Sequence, residues 1–131
     1  MVCFRASLWG AERAKMTKIT HYQDVPLDPA GEEGAQGIGI RWLITERDGA
    51  PNFAMRVIEV EHGGHSPFHR HPWEHEVFIL AGTGILVQEE QETPFSKGDV
   101  IFVPSGELHQ FKNSSQEMLE FICLIPNQPS D

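Results

Sequence analysis

Apolar residues along this chain fall in short runs of strand length, several alternating with polar positions so that every second side chain shares a face. Ile40 to Thr45 and Phe53 to Glu61 are two such runs, and the Asp48-Gly49 and Pro51-Asn52 pairs between them predict a hairpin. Further strands are predicted over Ser66 to His71, Glu76 to Ala81, Gly84 to Glu89, Val100 to Val103, His109 to Lys112 and Glu117 to Ile125. Thr17 to Gly39 is polar and rich in Gly, Pro and Asp, so it predicts a short edge strand at most, then loop. No stretch carries a 3.6-residue period over the length of an ordinary helix, and the expected fold is an all-β sandwich or barrel.

The same alternation sorts faces. In the last strand Leu119, Phe121, Cys123 and Ile125 lie on one face, Phe111 shares the face of His109, and Arg56 shares that of Ala54, Ile58 and Val60. These faces are expected to line the interior, with Leu119 as core and Phe111, Phe121, Cys123 and Ile125 either core or substrate contacts. Arg56 has two readings: inward, where a guanidinium would hold a carboxylate or enolate oxygen, or outward from an edge strand. Cys123 reads as a small buried hydrophobe, not a nucleophile.

Composition narrows the class. The 131 residues suit one domain: an N-terminal extension and edge strand over 1–39, a barrel over 40–126 and a frayed polar tail over 127–131. Nineteen acidic against ten basic residues give a net charge of −9, which argues against a nucleic-acid partner. The apolar runs are too short to span a membrane. Cys3 and Cys123 form no spacing motif, the first ten residues lack a secretory signal, and a reducing cytoplasm is the expected compartment. Because Met16 opens a more typical strand-leading segment, residues 1–15 read as an upstream extension.

Chemistry concentrates in the histidines. His69 and His71, at i and i+2, project from one face of an extended segment and can chelate one ion, although such pairs also occur by chance on surfaces. His75 follows after three residues and His109 opens a later strand. His21, His62 and His65 read as solvated surface residues.

The spacing around these histidines carries a resemblance. Gly63, His69, His71 and Gly82 fill the first motif of the cupin superfamily, G-x5-H-x-H-x3,4-E-x6-G, with His75 where the family usually has glutamate. Gly98, Pro104, Gly106, His109 and Asn113 fill every fixed position of the second, G-x5-P-x-G-x2-H-x3-N. Over about residues 40–126 the chain resembles small single-domain cupins, which implies a jelly-roll barrel. The segment His69 to Glu76 resembles cupins that bind manganese through four imidazoles. That resemblance implies His69, His71, His75 and His109 as ligands, with Glu76 as the alternative in a register one residue longer, and it implies a homodimer built by exchange of an N-terminal strand, here Thr17 to Tyr22. Glu74 and Glu76 are also candidate acceptors for ligand N–H groups, and Trp73 a candidate lid.

Four neutral imidazoles would leave the +2 charge of a divalent ion uncompensated, which favours an anionic ligand. Imidazole suits Mn(II), Fe(II), Co, Ni, Cu and Zn alike, and the resemblance points to Mn(II). Six-coordination would leave two adjacent positions open, and acidification through roughly pH 6 to 5 is expected to release the ion. The expected activity is that of a metal-dependent, dioxygenase-like oxidoreductase on a small apolar or aromatic substrate. A sugar isomerase would need more cations than Arg56 and Arg41 supply, and a non-catalytic binding or sensing module is the third reading.

Overall fold

The computed structural model describes residues 16–127. Nine strands form: β1 (Asp28–Pro29), β2 (Gln36–Ile44), β3 (Phe53–His65), β4 (His75–Ala81), β5 (Thr83–Gln88), β6 (Glu92–Ser96), β7 (Val100–Val103), β8 (His109–Asn113) and β9 (Leu119–Pro126). The only helical pieces among the described residues are the 3-10 turns Tyr22–Asp24 and Glu46–Asp48. The strands make one antiparallel sheet, curled as a jelly-roll barrel, in which β6, β5, β8, β3, β9, β4 and β7 are neighbours in that order. β2 pairs with β3 and carries β1 on its far edge.

The inner face follows from register. β3 pairs with β9 so that Ala54 meets Ile125, Arg56 meets Cys123, Ile58 meets Phe121 and Val60 meets Leu119. On the other edge of β9, Val77 and Ile79 of β4 meet Cys123 and Phe121. Burial along β9 alternates at every residue, as a strand with one face in a core must. Phe121, Ile79, Leu119, Val57, Val60, Val103 and Cys123 are fully buried, and each large apolar side chain so placed stabilises the fold by roughly 1.5–3 kcal/mol.

Polar residues close the turns. The Asn113 side chain is buried and fully bonded: it donates to the carbonyls of Val60 and Glu117 (2.8 and 2.7 Å) and accepts from the Ser115 amide and hydroxyl (2.8 and 2.9 Å). It thereby clamps the β8–β9 connection onto β3. Thr45 and Asp48 form a capping box on the turn that begins the β2–β3 connection. Arg41 binds Glu59 at 3.0 Å and the Val25 carbonyl, tying the N-terminal segment across β2.

The structure departs from the sequence expectations in several places. β2 begins at Gln36 rather than Ile40, and Thr17 to Tyr22 forms no strand within the single chain. Ser66 to His71 is not a strand either. Pro67 has no N–H to give the ladder, and backbone pairing with β8 is reduced to the Ser66 amide on the Phe111 carbonyl and a reciprocal amide–carbonyl pair between His69 and His109. β6 was not anticipated because Pro94 breaks the strand signature, yet an edge strand tolerates proline. Finally, Asn127, assigned to the frayed tail, is bonded through its amide to Asn52 and its side chain to Ala50. Residues 1–15, including Cys3, and 128–131 lie outside the described residues.

Gly82 joins β4 to β5 with φ +91, and a Cβ there would stand 2.8 Å from the Met118 carbonyl oxygen, whereas Gly98, at φ +92, has nothing within 4 Å. Gly98→Ala therefore meets only the backbone cost, about 1–2 kcal/mol, and Gly82→Ala adds a clash for about 2–4 kcal/mol in all. Urea unfolding of both variants measures the difference; equal losses would show that the turn yields to the added methyl.

Candidate metal centre

Three separate stretches of chain bring four histidines to one place. His69 and His71 come from the β3–β4 connection, His75 is the first residue of β4 and His109 the first of β8. One ring nitrogen from each of His69, His71 and His109 lies within 4.8 Å of the other two. His75 joins this trio through His71, its Nε2 standing 3.0 Å from the His71 Nε2. Its ring centroid is 4.6 Å from that of His71 and 5.1 Å from that of His109. His75 and His109 are buried, at 7% and 3% exposure.

Each ring is held by a neighbour. The Nδ1 of His109 is 2.8 Å from the Glu107 carbonyl oxygen; a carbonyl only accepts, so this nitrogen carries the proton and the Nε2 presents its lone pair. His75 has its Nδ1 3.0 Å from the Cys123 sulfur. His71 stacks on Trp73 with centroids 4.3 Å apart and planes 4° from parallel. His69 is fixed through its backbone pairing with His109.

This arrangement fits a divalent transition-metal ion. The gap between the Nε2 atoms of His71 and His75 leaves room for one proton or one ion, not for two N–H groups. Metal–nitrogen bonds of about 2.1 Å at right angles would place two nitrogens about 3.0 Å apart. Glu76, the alternative ligand, does not reach the cluster: strand alternation buries His75 and turns Glu76 outward, exposed beside Pro72 and Trp73 on the outer surface. Glu74 is exposed as well. The second-layer partners are the Glu107 carbonyl and the Cys123 sulfur, which spacing could not reveal.

The cluster opens on a cavity of about 490 Å³. Arg56, Phe111, Phe121, Cys123 and Ile125 all line it, and Leu119 is core, not lining. Sequence reasoning missed Ile38 and Trp42, which line the cavity from β2; their i, i+2 spacing with Ile40 was the available signal. Arg56 points inward and its Nη2 donates to Cys123 at 2.9 Å. His65, expected at the surface, is half-buried and 3.4 Å from the Gln110 side chain, while His21 and His62 are exposed.

Burial sets the protonation of the site. Desolvation, aided for His71 by His109 and for His75 by Arg56, lowers His71 from 6.5 to about 4 and His75 to about 3. Burial likewise lowers His109, against the pull of the Glu107 carbonyl. Burial pushes the Cys123 thiol up, outweighing the nearby Arg56 charge. Protons therefore compete for His71 and His75 less than they would for solvated imidazoles.

The Cupin domain family (Cupin_2) matches residues 56–125. Over 71 residues the chain is 34% identical to the 1-methylthio-D-xylulose 5-phosphate methylsulfurylase of Rhodospirillum rubrum, covering 54% of this chain and 46% of that protein. Over 58 residues it is 38% identical to the oxalate-binding protein of Thermotoga maritima, covering 44% and 48%. The chain thus spans about half the length of these curated relatives. The solved structure of the polyketide cyclase RemF from Streptomyces resistomycificus matches with a TM-score of 0.82 at 34% identity, over 88% of this chain and 83% of that one.

A pH profile tests the buried cluster. The unfolded chain protonates its histidines near pH 6.5, whereas the fold keeps His71 and His75 neutral to about pH 4 and 3. The unfolded state therefore binds more protons as pH falls below 6.5, and the metal-free protein loses stability across that window. Its melting midpoint should fall by roughly 5–10 °C between pH 7 and 4.5, with a shallower fall in His75→Gln. A flat profile in the wild type would mean the imidazoles titrate as if solvated.

Proposed function

The chain belongs to the Cupin domain family, and from that premise we propose that it is a metal-dependent enzyme. In this reading His69, His71, His75 and His109 hold one divalent cation, and the substrate is a small apolar or aromatic molecule bearing carbonyl or enol oxygens. The observation that carries it is the convergence of four imidazoles on the wall of a cavity whose apolar lining includes Ile38, Trp42, Phe111, Phe121 and Ile125. Mn(II) is the ion favoured, with Fe(II), Cu, Ni, Co and Zn compatible with the same donors. When bound, such an ion would supply Lewis-acid polarisation of a substrate oxygen.

The protein's own part is orientation and exclusion of water. Glu107 and Cys123 set the ring orientations of His109 and His75, Trp73 fixes the plane of His71, and the aromatic lining offers flat surfaces to a planar substrate. Redox-neutral chemistry such as ring closure is the first reading. It is supported by likeness over most of both chains to a polyketide cyclase, and by the buried Cys123 thiol beside His75, a group that oxygen activation would expose to oxidation. A dioxygenase-like oxidoreductase is the second, favoured by a donor set that suits manganese, iron and copper. A sugar-phosphate substrate is disfavoured, because Arg41 is engaged by Glu59 and Arg56 is the one cationic side chain among the cavity's lining residues.

Metal analysis of protein purified without added metal should find one ion per chain, and His109→Ala, which removes a ligand itself, should weaken its binding by about 100-fold or more. Turnover of a panel of linear β-polyketones, diketones and phenols should then require the ion and persist under anaerobic conditions. Oxygen consumption coupled to product would replace the first reading with the second. Tight binding of one compound without turnover under any metal would make the protein a binding module. His75→Glu should change metal preference and lower activity by about tenfold or more; unchanged behaviour would remove His75 from the ligand set.

A further inference from the structure

The least explained group in the cavity is the guanidinium of Arg56. It lies near the start of β3, at 9% exposure, on the inner face between Ala54 and Ile58. Its Nη2 donates to the Cys123 sulfur at 2.9 Å, its Cζ stands 5.4 Å from the centroid of the Trp42 ring, and its Nε is buried without any partner. Among the described residues the ion pairs are Lys18 with Asp48 and Arg41 with Glu59, so no carboxylate answers Arg56. The chain carries nineteen acidic residues, and the one carboxylate among the cavity's lining residues, Glu32, is exposed.

A buried cation answered by a neutral thiol and the face of an indole carries a desolvation cost that a hydrophobic residue of the same volume would not. Arg41, opposite Val57 on the paired strand β2, illustrates the structural alternative, with its guanidinium engaged by a carboxylate and two backbone carbonyls. Arg56 differs in having its Nε buried without a partner, and the residue lines the same cavity as the histidines. Cys123 fixes the distance: its sulfur touches Arg56 at 2.9 Å and His75 Nδ1 at 3.0 Å, so the guanidinium sits one atom away from the imidazole cluster.

We propose that Arg56 is the anion-recognition residue of this cavity and that the ligand is a planar apolar molecule carrying a delocalised oxyanion, a carboxylate or an enolate, held against the guanidinium beside the histidine cluster. A planar guanidinium matches two oxygens of such a group with parallel N–H bonds. The apolar lining receives the remainder of the molecule. The acidic exterior, at −9 overall, repels anions in general, so selection for one must be local, and Arg56 is where it resides. The proposal deepens the proposed function, on which it rests for the cavity being the ligand site, but it does not require the metal.

Calorimetric titration of the full chain with 2-naphthoate and with 2-naphthamide, metal-depleted and metal-loaded, tests it. The metal-depleted wild type should bind the carboxylate at least tenfold more tightly than the amide. Arg56→Met should abolish that preference while leaving the ligand-free melting midpoint unchanged or raised. Arg56→Lys, which keeps the charge without the planar fork, should retain part of the preference and serves if the methionine variant does not fold. Equal binding of the two probes by the metal-depleted wild type, binding of neither, or full preference in a folded Arg56 variant overturns the proposal. A preference confined to the metal-loaded protein and surviving Arg56→Met would sink Arg56 and leave the metal reading standing. A protein that takes up no divalent ion yet discriminates the probes through Arg56 would do the reverse.

Discussion

The antiparallel ladder between β3 and β9 places Arg56 opposite Cys123, Ile58 opposite Phe121 and Val60 opposite Leu119, and the interior of the barrel is built on those pairs. Side chains alternate with a period of two, so a slip of one residue in this register would turn the guanidinium, the thiol and the core aromatics to solvent together. Burial of Val60, Leu119, Phe121 and Ile79 makes that slip costly. The same pairing serves packing at one end of the ladder and chemistry at the other. Cys123 is at once a fully buried small side chain and the atom that touches both Arg56 and His75.

Strands deliver two of the candidate ligands and an irregular segment delivers the other two. His75 and His109 begin β4 and β8, where backbone pairing with Val103 and Gln88 fixes them. His69 and His71 sit between two prolines, Pro67 and Pro72, in a stretch that leaves the ladder except for the single bridge to His109. Leaving the ladder frees their rings to turn toward the strand-borne pair, and stacking of His71 on Trp73 gives back part of the order that the missing hydrogen bonds would have supplied.

The electrostatic balance of the cavity gives that geometry its direction. Burial holds His71 and His75 neutral over the pH range in which a cation would bind, so protons are weak competitors for their lone pairs. Among the described residues no carboxylate points into the cluster, and the one buried arginine or lysine, Arg56, stands beside it. A cavity with apolar walls and positive charge concentrated on one side is a polarised container, and anionic oxygen is the chemistry that complements it.

Most of this was legible in the linear sequence. Period-two alternation gave the faces of β3, β8 and β9, and the two spaced motifs named His69, His71, His75 and His109 together with the turn residues Gly82, Gly98 and Asn113. Those features depend on local backbone geometry, which a local pattern can encode. Spacing favoured His75 over Glu76, through the six residues to Gly82, but left both registers open; the pleat of β4 buries His75 and exposes Glu76. Spacing could not find the cavity wall contributed by Ile38 and Trp42, the Glu107 carbonyl behind His109, or the absence of a carboxylate beside Arg56. Each of these is a relation between residues distant in sequence, set when the sheet curls and closes, and only tertiary structure could decide it.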